Sequence, residues 1–217
     1  MAEYKTLRTT MVDTQVRPSD VTRFPVIDAF LKVPREVFVP TSQRDAAYVG
    51  ENVPIGPGRG VLEPRTLAKM IDLLNLEPSE MVLDVAPGLG YSSAILSELV
   101  EAVVAVEPDP DFARDAAANL AETDALNVIV VEGAESDGAP QHGPYDAILI
   151  GGAVETLPDA LVDQLKPGGR IAVLFLEGRV GVCRIGIKSP SGVGWRFGFD
   201  AGAPVLPGFG SKPAFAL

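Results

Sequence analysis

The chain has 217 residues, with 18 Lys plus Arg against 29 Asp plus Glu, a formal net charge of -11 and a pI near 4.5. That balance argues against a nucleic-acid partner, because neutralising phosphate backbones takes clustered cations, and no apolar run approaches the ~20 residues that a membrane span needs. The lone cysteine, Cys183, cannot form an intrachain disulfide, and the N-terminus lacks the charged start, apolar run and cleavage site of a secretion signal, so a cytoplasmic protein is expected. A single domain of this length buries roughly 70% of its unfolded surface, enough for a sizeable core. The charge is unevenly spread: residues 1–80 carry a net -1, residues 81–165 a net -15 interrupted only by Arg114, and residues 166–217 a net +5. The blocks are expected to do different jobs.

Residues 1–80 read as mostly helical. One helix is expected over 7–17. Ser19-Asp20 is expected to cap a second that runs through Val26, Ile27, Phe30 and Leu31, and Pro64 opens a third through Leu67, Met70, Ile71 and Leu74. Between these two, residues 53–60 (VPIGPGRG) read as a loop from their Pro and Gly. From residue 81 the pattern changes. Apolar runs at 81–86 (MVLDVA), 102–107 (AVVAVE), 128–131, 145–151 (YDAILIG) and 170–176 (RIAVLFL) alternate with helical stretches at 91–100, 111–123 and 157–165. Such runs are parallel strands covered on both faces, which predicts a doubly wound, Rossmann-like α/β sheet. Two further strands, 180–188 and 195–201, follow connections too short for a crossover helix and are expected to pair antiparallel. The expected organisation is an N-terminal helical module with a substrate loop (1–80) packed on a nucleoside-binding core (81–217). The apolar, Pro- and Gly-punctuated tail over 203–217 is expected to pack on the body.

The strongest chemical signal is VLDVAPGLGYSS at 82–93, where a strand ends and a helix begins. Gly88 and Gly90 let backbone approach a ligand without a Cβ in the way. Glu107 closes the next strand, where a carboxylate can accept from both vicinal hydroxyls of a ribose. A dinucleotide fingerprint would want a third glycine at Ser93. Asp84, just before the loop, is poorly placed for a pyrophosphate but suits the ammonium of S-adenosylmethionine, as does the acidity of the whole block. His142, in a Gln-His-Gly-Pro turn, reads as an exposed loop residue, and no metal site is expected.

With these residues in view, the loop VLDVAPGLGYSS, the acid of AVEPD, GPYDAILIGGA and the turn KPGGRIAV resemble the successive motifs of class I S-adenosylmethionine-dependent methyltransferases. That resemblance implies a seven-stranded, mostly parallel sheet ending in an antiparallel hairpin. The stretch MVDTQVRPSDVTRFPVIDAFLKVPREVFVP, followed by AAYVGENVPIGPGRG, is similar to the N-terminal module of protein-L-isoaspartate O-methyltransferases, and the resemblance runs from about residue 11 to 176. It implies methyl transfer from S-adenosylmethionine to the α-carboxylate that isoaspartate exposes in damaged proteins, so the partner would be a protein or peptide bearing such a carboxylate. A carboxylate is already ionised near pH 7, so alignment and exclusion of water matter more than a catalytic base. The cofactor residues implied are Asp84, Ala86, Gly88, Gly90 and Glu107, with Ala134 at the adenine-facing acid of the family and Glu135 or Glu132 as substitutes.

The acceptor loop departs from the family. Where those enzymes carry Gln-Thr-Ile-Ser-Gln-Pro, this chain reads Arg59-Gly60-Val61-Leu62-Glu63-Pro64, so Gly60 replaces the Thr and Leu62 the Ser assigned to the active site. No catalytic residue is therefore named. Arg59 or Arg65 could pair an acceptor carboxylate in place of the lost hydroxyls. Alternatively, a site lined by Val61 and Leu62 takes another small-molecule or protein acceptor, or the protein binds S-adenosylmethionine without turnover. A nicotinamide-dependent oxidoreductase is disfavoured by Ser93 and Asp84.

Overall fold

The computed structural model describes residues 2–178 and 180–211. Its centre is a seven-stranded sheet of β3 (Met81–Val85), β4 (Ala102–Glu107), β5 (Val128–Glu132), β6 (Tyr145–Val154), β7 (Leu165–Glu177), β8 (Val180–Ser189) and β9 (Gly192–Asp200), in the spatial order β5-β4-β3-β6-β7-β8-β9. The first five run parallel, and β7–β8 and β8–β9 pair antiparallel, as the short connections require. Alternation along the strands divides the core in two. Val82, Val103, Ala147, Leu149, Ala172 and Leu174 face one side, while Leu83, Val104, Ile148, Ile150, Ile171 and Val173 face the other.

The first side is covered by α1 (Ala2–Met11), α2 (Phe24–Lys32), α3 (Pro64–Leu74) and α4 (Tyr91–Ser97), together with Leu120 of α5 (Pro110–Glu122). Met11, Val16, Phe30, Leu67, Met70, Leu96 and Ile185 belong to one continuous buried cluster, so the N-terminal helices share their core with the sheet. Among the described residues the second side is covered by the short helix α6 (Asp159–Asp163), the segment of buried Ala139 leading into the 3-10 turn Pro140–His142, and the tail. Val205 bridges to Ala153, the amide of Leu206 donates to the Ala153 carbonyl at 2.9 Å, and Leu206 and Phe209 are buried. The tail through residue 211 thus packs on the body as its apolar character suggested; residues 212–217 lie outside the described residues.

Two local expectations need correction. Ser19 and Asp20 do not cap α2. The first helix passes into a π-turn at Val12–Val16 and a 3-10 turn at Arg17–Ser19, and Asp20, at φ 63°, ends that run in the left-handed region that Asp tolerates. The α2 helix begins at Phe24 with Pro25 in its first turn, and the Arg23 amide instead donates to Asp72 Oδ1 at 3.3 Å. Nor is 53–60 irregular: Val53–Gly56 (β1) and Arg59–Val61 (β2) form a hairpin, with Gly58 at φ 67° in its turn. Pro54 is tolerated because a two-stranded ribbon is all edge.

Candidate active site

The loop after β3 lies where β3 has β4 on one side and β6 on the other, the switch point at which open α/β sheets bind ligands. Three consecutive alternate residues turn the chain there: Ala86, Gly88 and Gly90 have φ of 59°, 60° and 97°, and Gly90 is the N-cap of α4. Ala86, where the resemblance puts the family's first glycine, is itself in the left-handed region despite its Cβ, anchored by its amide on the Val106 carbonyl at 2.9 Å.

Asp84, one residue before the end of β3, is fully buried. Its Oδ2 accepts from the hydroxyls of Ser92 and Ser93, both at 2.6 Å, while Oδ1 has no partner. Burial pushes its pKa up to about 7, against the lowering effect of the two hydroxyls and with a further push from Glu107. Ser93, which spoils a dinucleotide fingerprint, therefore has a positive role in orienting a carboxylate. Glu135 is 4% exposed and neither of its oxygens has a hydrogen-bond donor. Burial raises it to about 7 as well; Arg59 pulls it down and Glu107 pushes it up, so the three charges sense one another.

Glu107 is fully buried and fully engaged. Its Oε2 accepts from the Gly88 amide at 2.9 Å and its Oε1 from the Asp109 amide at 3.2 Å. The Arg59 guanidinium closes on both oxygens, Nη1 to Oε1 at 2.9 Å and Nη2 to Oε2 at 2.6 Å. Arg59 is thus neither a solvated loop charge nor displayed to solvent; it is buried between Glu107 and the ring of Phe112, 5.5 Å from the ring centroid. The hairpin carrying it lies directly on the glycine loop. A Cβ on Gly88 would stand 2.5 Å from Ile55 Cδ1, so glycine is what permits the contact.

The other loop residues divide. Leu62 is buried and lines, with Gly60, Val61, Ala86, Pro87 and Gly151, a cavity of about 20 Å³, room for roughly one water, between hairpin and glycine loop. Glu63 turns away: its Oε1 accepts from the Thr66 hydroxyl at 2.5 Å, at the start of α3. Arg65 is turned toward β9, its guanidinium over Phe199 and 3.4 Å from the Asp200 carbonyl. Ala134 and Glu132 both precede the turn that carries Glu135; Glu132 is exposed, and its place is the end of β5. His142 is half-buried rather than exposed, in the 3-10 turn Pro140–His142.

One residue that motif reading did not single out is Arg35. Fully buried, it donates from Nε to the Ala47 carbonyl at 2.5 Å and from Nη2 to the Leu62 carbonyl at 2.9 Å, and it stacks 4.7 Å from the centroid of Tyr91. It ties the segment after the hairpin, at Leu62, to the first turn of α4. Its place in VPREVFVP, where it and Glu36 are the two charges in an apolar run, was the available signal, since a guanidinium flanked by core residues needs carbonyls to satisfy it.

The comparisons with known proteins bear on this geometry. The family model described as Protein-L-isoaspartate(D-aspartate) O-methyltransferase (PCMT) matches residues 8–179. The chain belongs to that family. A protein-L-isoaspartate O-methyltransferase of Aeropyrum pernix is 40% identical over 193 residues, 87% of this chain and 74% of its own, and that of Methylorubrum extorquens is 39% identical over 166 residues, 76% and 72%. Among solved structures, a protein-L-isoaspartate O-methyltransferase superposes with a TM-score of 0.81 at 24% identity, covering 94% of this chain and 67% of its own. A Plasmodium falciparum protein described as a putative member, in complex with S-adenosyl-L-homocysteine, gives 0.76 at 20% identity over 94% and 98%. These two share the fold, a Rossmann-like class I methyltransferase sheet with an N-terminal helical module.

Proposed function

We propose that the protein transfers the methyl group of S-adenosylmethionine to the carboxylate of isoaspartyl residues in proteins or peptides, as its family relatives are named for doing. The observation that carries this reading is the set of carboxylate oxygens beside the glycine loop that lack donors, Asp84 Oδ1 and both of Glu135, in a chain of this family. Buried acceptors without donors are costly unless a ligand supplies them. An ammonium at Asp84 and an exocyclic amine at Glu135 would do so, with Glu107 on the ribose and the backbone of Gly88 and Gly90 in contact with the cofactor. The cofactor therefore fits these residues, provided that Glu107 exchanges its partner.

The cofactor, when bound, supplies an electrophilic methyl carbon on a positively charged sulfur. This chain supplies the rest: Asp84 and Glu135 hold the cationic and adenine ends, Gly60, Val61 and Leu62 shape the acceptor side, and Arg35 fixes the Leu62 backbone. The acceptor arrives ionised, so no side chain has to remove a proton. The 1–80 module serves as the acceptor-binding part of the site and 81–217 as the cofactor-binding part. Cys183, a buried free thiol on β8, is consistent with a reducing cytoplasmic setting, and among the described residues no helix is long and apolar enough to cross a membrane. Methylation of paired peptides that differ only in isoaspartate or aspartate tests the reading.

Two expectations arise here. Asp84 and Glu135 each titrate near 7, so on lowering the pH they take up protons that a cationic, hydrogen-bond-donating ligand must expel. Binding of S-adenosylmethionine is expected to be roughly a hundredfold weaker near pH 6 than near pH 8, about tenfold for each acid, and to release protons around pH 7, as calorimetry in buffers of different ionisation enthalpy reads directly. Affinity independent of pH over that range contradicts the role given to these two acids.

The second concerns Leu62. Its carbonyl is held by Arg35, so Leu62→Ser should change the side chain without moving the loop. Kcat/KM for isoaspartyl peptide is expected to rise by about tenfold, the worth of one hydrogen bond to a charged group, while stability falls by about 2 kcal/mol from lost burial. Unchanged kcat/KM would mean that the acceptor does not reach this side chain. Gly60→Thr is less well tolerated, because its Cβ would stand 3.2 Å from the Val53 carbonyl oxygen across the hairpin.

A further inference from the structure

Glu107 has no acceptor capacity left. An ionised carboxylate offers about four lone-pair positions. Here Oε1 takes Arg59 Nη1 and the Asp109 amide, and Oε2 takes Arg59 Nη2 and the Gly88 amide. The two amides belong to the backbone that forms the loop itself. The guanidinium comes from a hairpin 48 residues earlier in the chain and is the one partner that can leave without unmaking the loop.

Building on the reading of Glu107 as the ribose acceptor, we propose that Arg59 and the cofactor's ribose exclude each other at this carboxylate. The cofactor then enters first, and in taking Glu107 it releases the guanidinium to the carboxylate of the acceptor. Ribose hydroxyls need the same two positions that the Arg59 fork fills. Arg59 shares its face of β2 with Val61, which lines the cavity between hairpin and glycine loop, so a small rotation carries the displaced fork toward the acceptor side. Ile55, packed on Gly88, moves with the same hairpin. A buried arginine that loses its carboxylate needs another anion, and an ionised acceptor brings one in matching bidentate geometry. The position is Gln in the family loop pattern, so the device belongs to this chain's own departure and compensates for the hydroxyls absent at Gly60 and Leu62.

The test is calorimetric titration of S-adenosylhomocysteine into the wild-type protein, Arg59→Gln and Arg59→Lys, with steady-state methylation of isoaspartyl peptide by each. Arg59→Gln is expected to bind S-adenosylhomocysteine roughly tenfold tighter, since nothing then competes for Glu107, while KM for the peptide rises roughly tenfold and kcat changes less. Arg59→Lys, which keeps the charge but not the fork, should fall between and serves in its place if Arg59→Gln fails to fold. The wild-type protein should bind peptide measurably only when S-adenosylhomocysteine is present. Equal or weaker S-adenosylhomocysteine binding by the folded variants overturns the exclusion, and an unchanged peptide KM overturns the transfer to the acceptor. If neither wild type nor variants bind S-adenosylhomocysteine, the cofactor reading of the site falls and this inference with it.

Discussion

Glu107→Ala is expected to destabilise the protein by about 3–5 kcal/mol and to abolish measurable binding of S-adenosylmethionine. The stability loss exceeds what a lost ribose contact would suggest, because the substitution strands the buried Arg59 guanidinium without a counter-charge and frees the amides of Gly88 and Asp109 from their shared acceptor. Denaturant unfolding measures the first effect and calorimetry the second. Glu107→Ala combined with Arg59→Leu removes both charges, and should recover most of the stability while leaving cofactor binding absent. A stability change below about 1 kcal/mol for Glu107→Ala would mean that the pair is not held as the geometry shows.

Gly151→Ala is the second large effect. This glycine, on β6 against the β3 loop, has no space for a methyl group: its Cβ would lie 2.5 Å from the Ala86 carbonyl oxygen and 3.2 Å from that of Val85. Both neighbours are backbone, Val85 at the end of β3 and Ala86 in the bend just beyond it, held by its amide on the Val106 carbonyl, so neither can rotate away. The turn at Ala86 must shift, and with it Gly88 and the amide that Glu107 accepts. Loss of about 2–3 kcal/mol of stability is expected, with cofactor affinity falling more than tenfold. Gly178→Ala, in an open turn with nothing within 4 Å of the new Cβ but at φ 69°, separates the two causes: it should cost about 1 kcal/mol and leave cofactor affinity unchanged.

Much of this architecture is legible in the sequence because its signals are local. The strand-loop-helix unit from 81 to 97 announces itself through an apolar run, two glycines and a helix, all within 17 residues, and β4 ends on Glu107 as its pattern requires. The antiparallel end of the sheet follows from connection length alone. What failed was either subtle locally or distant in sequence. Ser19-Asp20 carries a cap signature, but Asp20 is used in the left-handed region to end a helix rather than to start one. Residues 53–60 have loop composition, yet a hairpin tolerates Pro54 and uses Gly58 at its turn. The partner of Arg59 was not readable, since spacing along the chain says nothing of which charge a hairpin will meet when it folds onto a sheet. The same holds for Arg35, whose carbonyl partners lie 12 and 27 residues away. Of the acidity in 81–165, a few carboxylates, Asp84, Glu107 and Glu135, are buried at the site, whereas Asp109, Asp111 and Glu122 are exposed.

Glu63 and Arg65 illustrate the opposite lesson. Both sit in the loop that the resemblance marks as the acceptor site, but their side chains serve the start of α3 and the β9 edge. Of the two arginines considered for an acceptor carboxylate, Arg59 alone faces the glycine loop.

The central claim is methyl transfer to an isoaspartyl carboxylate despite the missing hydroxyls at Gly60 and Leu62. Its most direct test is transfer of radiolabelled methyl from S-adenosylmethionine to two peptides identical except for isoaspartate or aspartate at one position. Base-labile label on the isoaspartyl peptide, well above the aspartyl control and lost in Gly151→Ala, is the predicted result; label no higher than the aspartyl control, from protein that binds S-adenosylmethionine, would contradict it.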